Sequence, residues 1–579
     1  MKRRIIILFC SLFIIVFSVY SVLPFIHSHQ STATVQKQFT QYLDQLFADW
    51  VSSDTVTLHY QLANPSNYHI SLETLSLSNS YFIRTSDYEK ELDKLHSFQN
   101  SKLNTSQKKT YHILEDYLTR EKNLSKYPFY QTVFSPTTGL QAQLPVTLCE
   151  FPLRCEGDIR IYLSLLKEIP DYFQELYENE QEKSKQGLFY SDRILDQILG
   201  QMDSFISETT KNPLITSFPD RIHTLSLGNQ KEQQYIHKNQ NLILYTVLPA
   251  YQTLRNNLAS LKNTGKNDLG LCYYDDGKKY YAALVASLTG SDATPKELIT
   301  MTEQNLSECY KQLEEILYLY PDAYESFLNT KIEHYIPNSE KKTLDWLKKK
   351  LANDFPDISK VSHSIKTVPK CLEDYVSPAF YMLPSIDLYK NNTIYINRKQ
   401  LTDLSSAYSV LAHEGYPGHL YQTAYFYEHM EHPILSLCNY EGYVEGWAVY
   451  AENLSYTFLD YGKYSSIIAQ LYQINHILNL AIPSRIDLGV HYEGWDKKNV
   501  KQFLSGLGLE KEEISTDIFD SIVAEPGNYL SYYIGFLEIL ALKNDYMKIA
   551  QNTDKNLAFH QYFLANGPCD FSYLTSVLH

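Results

Sequence analysis

The stretch that decides the fold reads Ser409-Val-Leu-Ala-His413-Glu414-Gly415-Tyr416-Pro417-Gly418-His419-Leu-Tyr-Gln422. A His-Glu pair followed by a second His is typical of zinc hydrolases, in which two neutral imidazoles hold the metal and the Glu is the general base. The usual spacing of the histidines is i, i+4, whereas here it is i, i+6, about 120° apart on an ideal helix. An excursion of two residues at Pro417-Gly418 can bring His419 back over His413. The alternative is that both histidines are hydrogen-bonded core residues.

A third metal ligand is predicted on a second helix, over Ile434–Leu454. Glu445 follows His419 by 26 residues, which is enough for one turnaround and an antiparallel helix. Glu441 and Glu452 share its helical face, so we expect them to orient the histidines by hydrogen bonds. The alternative is a solvated charged stripe.

These residues, with Tyr443–Glu452, resemble the bacterial "domain of unknown function 885" family of proposed zinc metallopeptidases. Further matches are Arg485–Trp495, Pro526–Gly535 and Gly270-Leu271 with Gly277–Tyr281. The resemblance covers about residues 270–540. It implies a large α-helical, gluzincin-like fold with a deep channel, similar to oligopeptidases and carboxypeptidases.

Residue by residue, the resemblance implies one Zn²⁺ ion, three zinc ligands (His413, His419 and Glu445) and Glu414 as the general base. Two positions depart from the family pattern. Leu420 stands where a second His is frequent, and Tyr533 stands where a Lys is common. The second departure concerns recognition of the substrate end, so Tyr533 is a candidate substrate-binding residue.

Peptide hydrolysis develops a negative oxygen that needs donors besides the metal. His491 and Tyr532 are the candidates, and a core His and a packing Tyr are the alternatives. Arg485 could clamp a substrate carboxylate in two hydrogen bonds, which would favour carboxypeptidase action. A structural ion pair with Asp487 or with a neighbouring helix is the alternative.

Sequence patterns typical of β-strands are scarce. The clearest is Thr393–Asn397, with Ser385–Leu388 before it. An edge strand just upstream of the zinc helix could pair with an extended substrate backbone. Tyr395 and Asn397 are therefore candidates for lining the cleft.

Helical periodicity covers most of the chain from Gln36 onward. Thr294 with Pro295 predicts a capped helix that runs to about Leu317, and Ile159–Glu180 predicts a helix interrupted at Pro170. We therefore expect a mainly α fold, a large helical bundle with a small β edge near the site. Residues 36–579 are expected to form a single unit, with the motif core at 390–535.

The N-terminus reads Met1-Lys2-Arg3-Arg4 followed by an apolar run, Ile5–Phe25. About 20 apolar residues can span a bilayer as a helix, and the basic flank keeps the short end in the cytoplasm. Residues 1–25 are thus predicted as a signal anchor and 26–35 as a polar stalk, with the catalytic part outside. A cleaved leader and a secreted protein is the alternative.

The composition excludes other classes of protein. The 579 residues carry 51 Lys+Arg against 66 Asp+Glu, a net charge of −15. An acidic chain without a long basic tract lacks the positive charge expected of a nucleic-acid-binding protein. The expected function is that of a membrane-anchored zinc peptidase acting on short peptides. A zinc hydrolase of other amides or esters and a non-catalytic, peptide-binding helical receptor are the alternatives. Peptide preference, endo- or carboxypeptidase action and oligomeric state stay open.

Overall fold

A computed structural model gives the fold and describes residues 31–71, 77, 84–368, 370, 373, 376–438, 440–509, 512–550 and 554–578. The described part is mainly helical, which confirms the predicted fold class. The anchor predicted at residues 1–25 lies outside it. Among the described residues, no helix combines the length and the apolarity needed to cross a membrane.

Twenty-four α-helices and three strands order the described chain. The first eleven helices are α1 (Thr32–Ser52), α2 (Thr55–Gln61), α3 (Thr85–His96), α4 (Thr105–Leu124), α5 (Leu140–Cys149), α6 (Glu156–Gln186), α7 (Asp192–Ser207), α8 (Pro213–Thr216), α9 (Phe218–His223), α10 (Asn229–Leu242) and α11 (Leu248–Ser260). Four helices then precede the sheet: α12 (Gly277–Thr289), α13 (Pro295–Leu319), α14 (Pro321–Leu328) and α15 (Glu340–Lys350). The strands are β1 (Ser362–Thr367), β2 (Ala379–Met382) and β3 (Asn391–Ile396). The remaining helices are α16 (Leu404–Glu414), α17 (His419–His429), α18 (Glu441–Ser455), α19 (Ser465–Leu488), α20 (Lys497–Gly506), α21 (Glu512–Ala524), α22 (Asn528–Ile549), α23 (Lys555–Asn566) and α24 (Phe571–Leu578).

Local sequence signals place several helix ends. The Thr294 hydroxyl accepts from the amide of Glu297, and Glu297 accepts from the amide of Thr294 at 2.8 Å, so α13 begins at the predicted cap. The Ser31 hydroxyl accepts from the amide of Thr34 and caps α1, so the helix begins inside the segment predicted as a stalk. Pro170 lies within α6 without interrupting it, which corrects the predicted break.

The sheet has the order β1-β3-β2, with β1 parallel and β2 antiparallel to β3. The strand predicted at Thr393–Asn397 therefore exists, but it is the central strand and not an edge. Ile386–Leu388, expected as part of an earlier strand, is a short 3₁₀ turn. Within the described chain, β2 pairs with β3 along one edge only. Its other edge, called the outer edge below, lies beside the end of α16.

The sheet separates two apolar cores. One face carries Ile394 and Ile396 into the larger core, which is built by α1–α4 and by most helices from α12 onward. The other face carries Tyr395 and Phe380 into a second core, built by α5–α11. This alternation follows from the two-residue period of a strand. The single unit expected over residues 36–579 stays a prediction.

Glycines bring α18 and α22 into close backbone contact. A methyl group added at Gly535 would lie 1.9 Å from the carbonyl oxygen of Gly442, and one added at Gly446 would lie 2.4 Å from the carbonyl carbon of Gly535. Both helices are largely buried. Because the small residues let the backbones meet, α18 is held firmly where it carries Glu445.

Candidate metal centre

The turn between α16 and α17 solves the spacing problem of the two histidines. The amide of Gly418 donates to the carbonyl of Ala412 at 3.0 Å, and the amide of Tyr421 donates to that of Gly415 at 3.2 Å. These bonds span six residues where an α-helix spans four, so the turn holds two extra residues. The spacing i, i+6 therefore acts as i, i+4. The rings of His413 and His419 lie 4.8 Å apart, edge to face.

Glu445 of α18 completes a triad with these histidines. Its Oε2 atom lies 3.5 Å from Nε2 of His413 and 3.4 Å from Nε2 of His419. Three ligand atoms, one from each residue, lie within 4.8 Å of one another. The three side chains keep 13–23% of their surface exposed.

The triad fits a divalent metal ion in two respects. Bonds of about 2.0–2.2 Å at tetrahedral angles place neighbouring ligand atoms about 3.4 Å apart, which matches the two distances to Glu445. In addition, Oε2 of Glu445 is buried and accepts no hydrogen bond from the described residues. A buried carboxylate oxygen without a hydrogen-bond donor is costly unless a cation compensates it.

Glu452 orients His413 from behind. Its Oε2 atom lies 3.2 Å from Nδ1 of His413, a carboxylate–imidazole contact that leaves Nε2 free to bind a metal. Burial alone would raise the pKa of Glu452, but the neighbouring imidazoles of His476 and His413 hold it well below its ordinary value. The carboxylate is therefore ionised and acts as an acceptor.

His476 of α19 is a site residue that the sequence did not reveal. Its Nε2 atom lies 3.2 Å from the same oxygen of Glu452 that contacts His413. The side-chain amide of Asn453 lies 3.5 Å from its Nδ1 atom. Since His476 stands in no motif and 24 residues after Glu452, only the packing of α19 on α18 brings it there.

Glu414 ends α16 beside the triad. The amide of Tyr381, on the outer edge of β2, donates to its Oε2 atom at 2.8 Å. Burial raises the pKa of Glu414, and the imidazoles of His419 and His413 offset part of that rise. A carboxylate whose pKa is moved toward neutrality is suited to general base catalysis.

Tyr532 of α22 also belongs to the site. Its ring stacks near-parallel to that of His413, with centroids 6.4 Å apart. Burial and then the charges of Glu445 and Glu414 raise its pKa well above the ordinary value. The hydroxyl therefore keeps its proton and can donate it in a hydrogen bond.

A model of the bacterial proteins of unknown function called DUF885 matches residues 77–578. The chain belongs to the DUF885 family. Two solved structures share the fold of this DUF885 protein, both described as a "putative lipoprotein". The one from Colwellia psychrerythraea is 19% identical with a TM-score of 0.77, over 94% of this chain and 98% of its own. The one from Shewanella oneidensis is 15% identical with a TM-score of 0.60, over 95% and 100%. No curated protein matches the chain.

His491 is not brought to the triad. Its Nδ1 atom accepts from the amide of Leu271 at 3.1 Å, and its Nε2 atom bonds the carbonyl of Ile522 at 2.9 Å. Burial lowers its pKa to about 4, so the ring is neutral and both of its nitrogens are engaged by backbone groups. These contacts match the alternative of a satisfied core histidine.

Arg485 is engaged in structural ion pairs. Its guanidinium lies 2.9 Å from Glu303 of α13 and 2.8 Å from Glu493, and it stacks on Trp495. The side chain is buried. The charge of Arg485 is matched by two carboxylates of the protein. In this DUF885 protein Arg485 therefore joins helices, as in the structural ion pair given above as the alternative to substrate binding.

The other proposed substrate contacts are also occupied. The Tyr395 hydroxyl donates to Glu150 at 2.8 Å. The Asn397 amide donates to the carbonyl oxygens of Glu373 and Val376. The Tyr533 hydroxyl donates to Asn305 at 2.8 Å. These hydrogen bonds are all made within the fold, and none of them is to a residue of the triad.

Glu441 lies one turn before Glu445 on α18. It lines a cavity of about 440 Å³ together with Glu525 and Asn528. Its charge is one of those that raise the pKa of Tyr532, after burial, Glu445 and Glu414. The charge of Glu441 therefore reaches Tyr532, and Glu452 contacts His413 directly.

Proposed function

We propose that this DUF885 protein is a zinc-dependent peptidase that hydrolyses short peptides. The observation that carries the proposal is the convergence of the His413, His419 and Glu445 ligand atoms, with the Glu414 carboxylate beside them. Binding alone needs no buried carboxylate next to the metal ligands, so the presence of Glu414 favours catalysis over a receptor role.

The proposed mechanism assigns each residue one task. Zinc held by His413, His419 and Glu445 would supply a Lewis acid and a water molecule of lowered pKa. Glu414 accepts the proton of the attacking water and delivers it to the leaving amine. The Tyr532 hydroxyl donates to the oxygen that becomes negative as the carbonyl is attacked.

The outer edge of β2 is the proposed docking strand for the substrate. The amide of Tyr381 points away from β3 and donates to Glu414, so an extended peptide added to this edge would pair with the other outward-facing backbone groups of β2. The peptide would then lie next to the general base. This assignment replaces β3, whose two edges are both paired within the sheet. A deep channel leading to this edge is part of the proposal.

We further propose an extracytoplasmic location, with residues 1–25 as anchor and the N-terminus inside. The apolar run Ile5–Phe25 behind three basic residues supports it. The two structural relatives described as lipoproteins agree with such a location.

A peptide-library digest with the full-length protein tests the function. We expect the wild type to bind one zinc ion per chain and to release fragments that mass spectrometry identifies. Glu414→Gln keeps the shape of the side chain and is expected to bind zinc equally but to cleave at least 100-fold more slowly. A wild type that binds zinc but cuts no peptide would contradict the proposal and favour another amide or an ester as substrate.

A further inference from the structure

A cavity of about 510 Å³ lies beside β2, on the face of the sheet opposite the metal-bearing helices. Its walls come from α2, α5 and β2, and apolar side chains such as Val56, Val146, Phe380 and Met382 line them. The volume falls in the range of about 300–1,000 Å³ that is usual for ligand sites. None of the roles proposed above uses this cavity.

The cavity is next to the proposed substrate strand. Tyr381, whose amide contacts Glu414, lies between Phe380 and Met382, the two β2 residues that line the cavity. Side chains of a strand alternate between the faces of a sheet. An extended peptide paired with β2 would therefore direct every second side chain to the cavity side.

The polar groups of the cavity are suited to a cation. Glu150 is its one charged lining residue among the described residues, and it accepts a hydrogen bond from Tyr395 at 2.8 Å. A long aliphatic stem would lie against the apolar walls while its charged tip reaches the Glu150 carboxylate.

A neighbouring cavity of about 480 Å³ extends the same electrostatic pattern. It shares Val56 and Gln143 with the first cavity, so the two are contiguous. Among the described residues, the charged side chains that line it are carboxylates, namely Asp54, Asp87 and Glu91, of which Asp87 also pairs with Arg84 and Lys90 outside the cavity lining. Walls of one sign attract ligands of the opposite charge.

We infer that the cavity between β2, α2 and α5 is a substrate subsite that selects a lysine or arginine side chain through Glu150. The inference rests on the proposed peptidase function and names its substrate class. It predicts that the protein prefers peptides with a basic residue at one position relative to the cleaved bond.

Matched peptides that differ at one residue, arginine or its neutral isostere citrulline, test the preference on the zinc-loaded full-length protein. We expect kcat/KM to be at least about tenfold higher for arginine, as for a charge-assisted hydrogen bond. Glu150→Gln should remove this difference by lowering kcat/KM for the arginine peptide. Glu325→Gln removes an exposed carboxylate outside the cavity and should keep the preference.

Binding separates this inference from the proposed function. Glu414→Gln is expected to bind the arginine peptide at least about tenfold more tightly than the citrulline peptide, measured by fluorescence anisotropy, whether or not the wild type cleaves it. Equal binding and equal cleavage of the two peptides would overturn the inference. A Glu150→Gln variant that weakens both peptides alike would overturn it as well, since a structural role has no charge preference.

Discussion

The two predicted metal-binding histidines are too far apart on an ideal helix, and Gly418 makes their approach possible. Its amide closes the six-residue hydrogen bond to Ala412, and a Cβ atom at this position would lie 1.7 Å from the carbonyl oxygen of His413. Only glycine therefore fits the turn. The six-residue spacing could be interpreted from sequence because its cause, a Pro-Gly pair, is local.

Replacing Gly418 with alanine should displace the start of α17 and hence His419. We expect zinc affinity to fall at least about tenfold, measured by competition with a chromophoric chelator. Gly506→Ala is the matched control, since an added methyl group there meets nothing within 4 Å. Wild-type zinc affinity in Gly418→Ala would show that the turn does not set the position of His419.

In the proposed metal site, His476 acts through Glu452, so its loss should loosen His413 without removing a proposed ligand. We expect His476→Ala to weaken zinc binding by about 10–100-fold, as for other outer partners of metal-binding histidines. His476→Gln keeps a donor for Glu452 and should recover most of that loss. If both variants bind zinc as the wild type does, the Glu452 orientation is independent of His476.

Asp487 gives the fold a defined pH dependence. The carboxyl is fully buried, bonded by the Tyr281 hydroxyl and by the amide of Gly527 at 2.9 Å, and burial raises its pKa from 3.8 to about 7. Between these values the unfolded chain releases a proton that the folded chain retains. Asp487 therefore contributes a loss of stability as pH rises from about 4 to about 7, and this loss levels off at higher pH.

Comparing the wild type with Asp487→Asn isolates this effect, because the other titrating groups are common to both. From pH 5 to pH 8, the free energy of unfolding of the wild type should fall by about 2–3 kcal/mol relative to the variant. Denaturant unfolding at several pH values measures it. A difference that stays constant over this range would contradict the buried, protonated state of Asp487.

The helices α18 and α22 show how an element positions a ligand. Gly442, Gly446 and Gly535 let the two backbones touch, and α18 carries Glu441, Glu445 and Glu452 while α22 carries Tyr532. The sequence predicted the acidic face of α18 from its periodicity. It did not predict the partner helix, because small residues spaced along a helix carry no signal of what they contact.

Gly535→Ala should separate these helices, since the added Cβ atom would lie 1.9 Å from the carbonyl oxygen of Gly442. We expect a loss of about 3 kcal/mol or more in the free energy of unfolding. Gly200→Ala, at an exposed position within α7, meets nothing within 4 Å and should be neutral or slightly stabilising. Similar melting temperatures of both variants would contradict the close contact.

At the scale of the element, the sheet shows what sequence patterns do not predict, namely the order of its strands. Thr393–Asn397 alternates apolar and polar residues and was found as a strand, but its place in the sheet depends on β1 and β2. β1 is mostly exposed, and β2 has only four residues, so neither has a clear pattern. Strand order is fixed by tertiary packing, and the central position of β3 could not be derived from β3 itself.

At the scale of the whole molecule, the sheet lies between two cores and brings the edge of β2 to the metal triad. The triad residues could be proposed from sequence because they stand in two compact motifs, one spanning α16, the turn and α17, and the other on α18. His476, the edge strand and the cavity beside it depend on contacts between distant segments. Conversely, Arg485 and His491 lie in stretches that match the family pattern, yet their contacts are with Glu303, Glu493 and backbone groups.

The most direct test of the metal centre is to add zinc stepwise to metal-free full-length protein while peptide cleavage is followed. The account predicts that activity appears with zinc and reaches its plateau at one equivalent per chain. It also predicts that Glu445→Gln requires much more zinc, whereas Glu325→Gln behaves as the wild type. Cleavage that persists in the metal-free protein, or zinc bound at one equivalent without any cleavage, would contradict the proposal of a zinc peptidase.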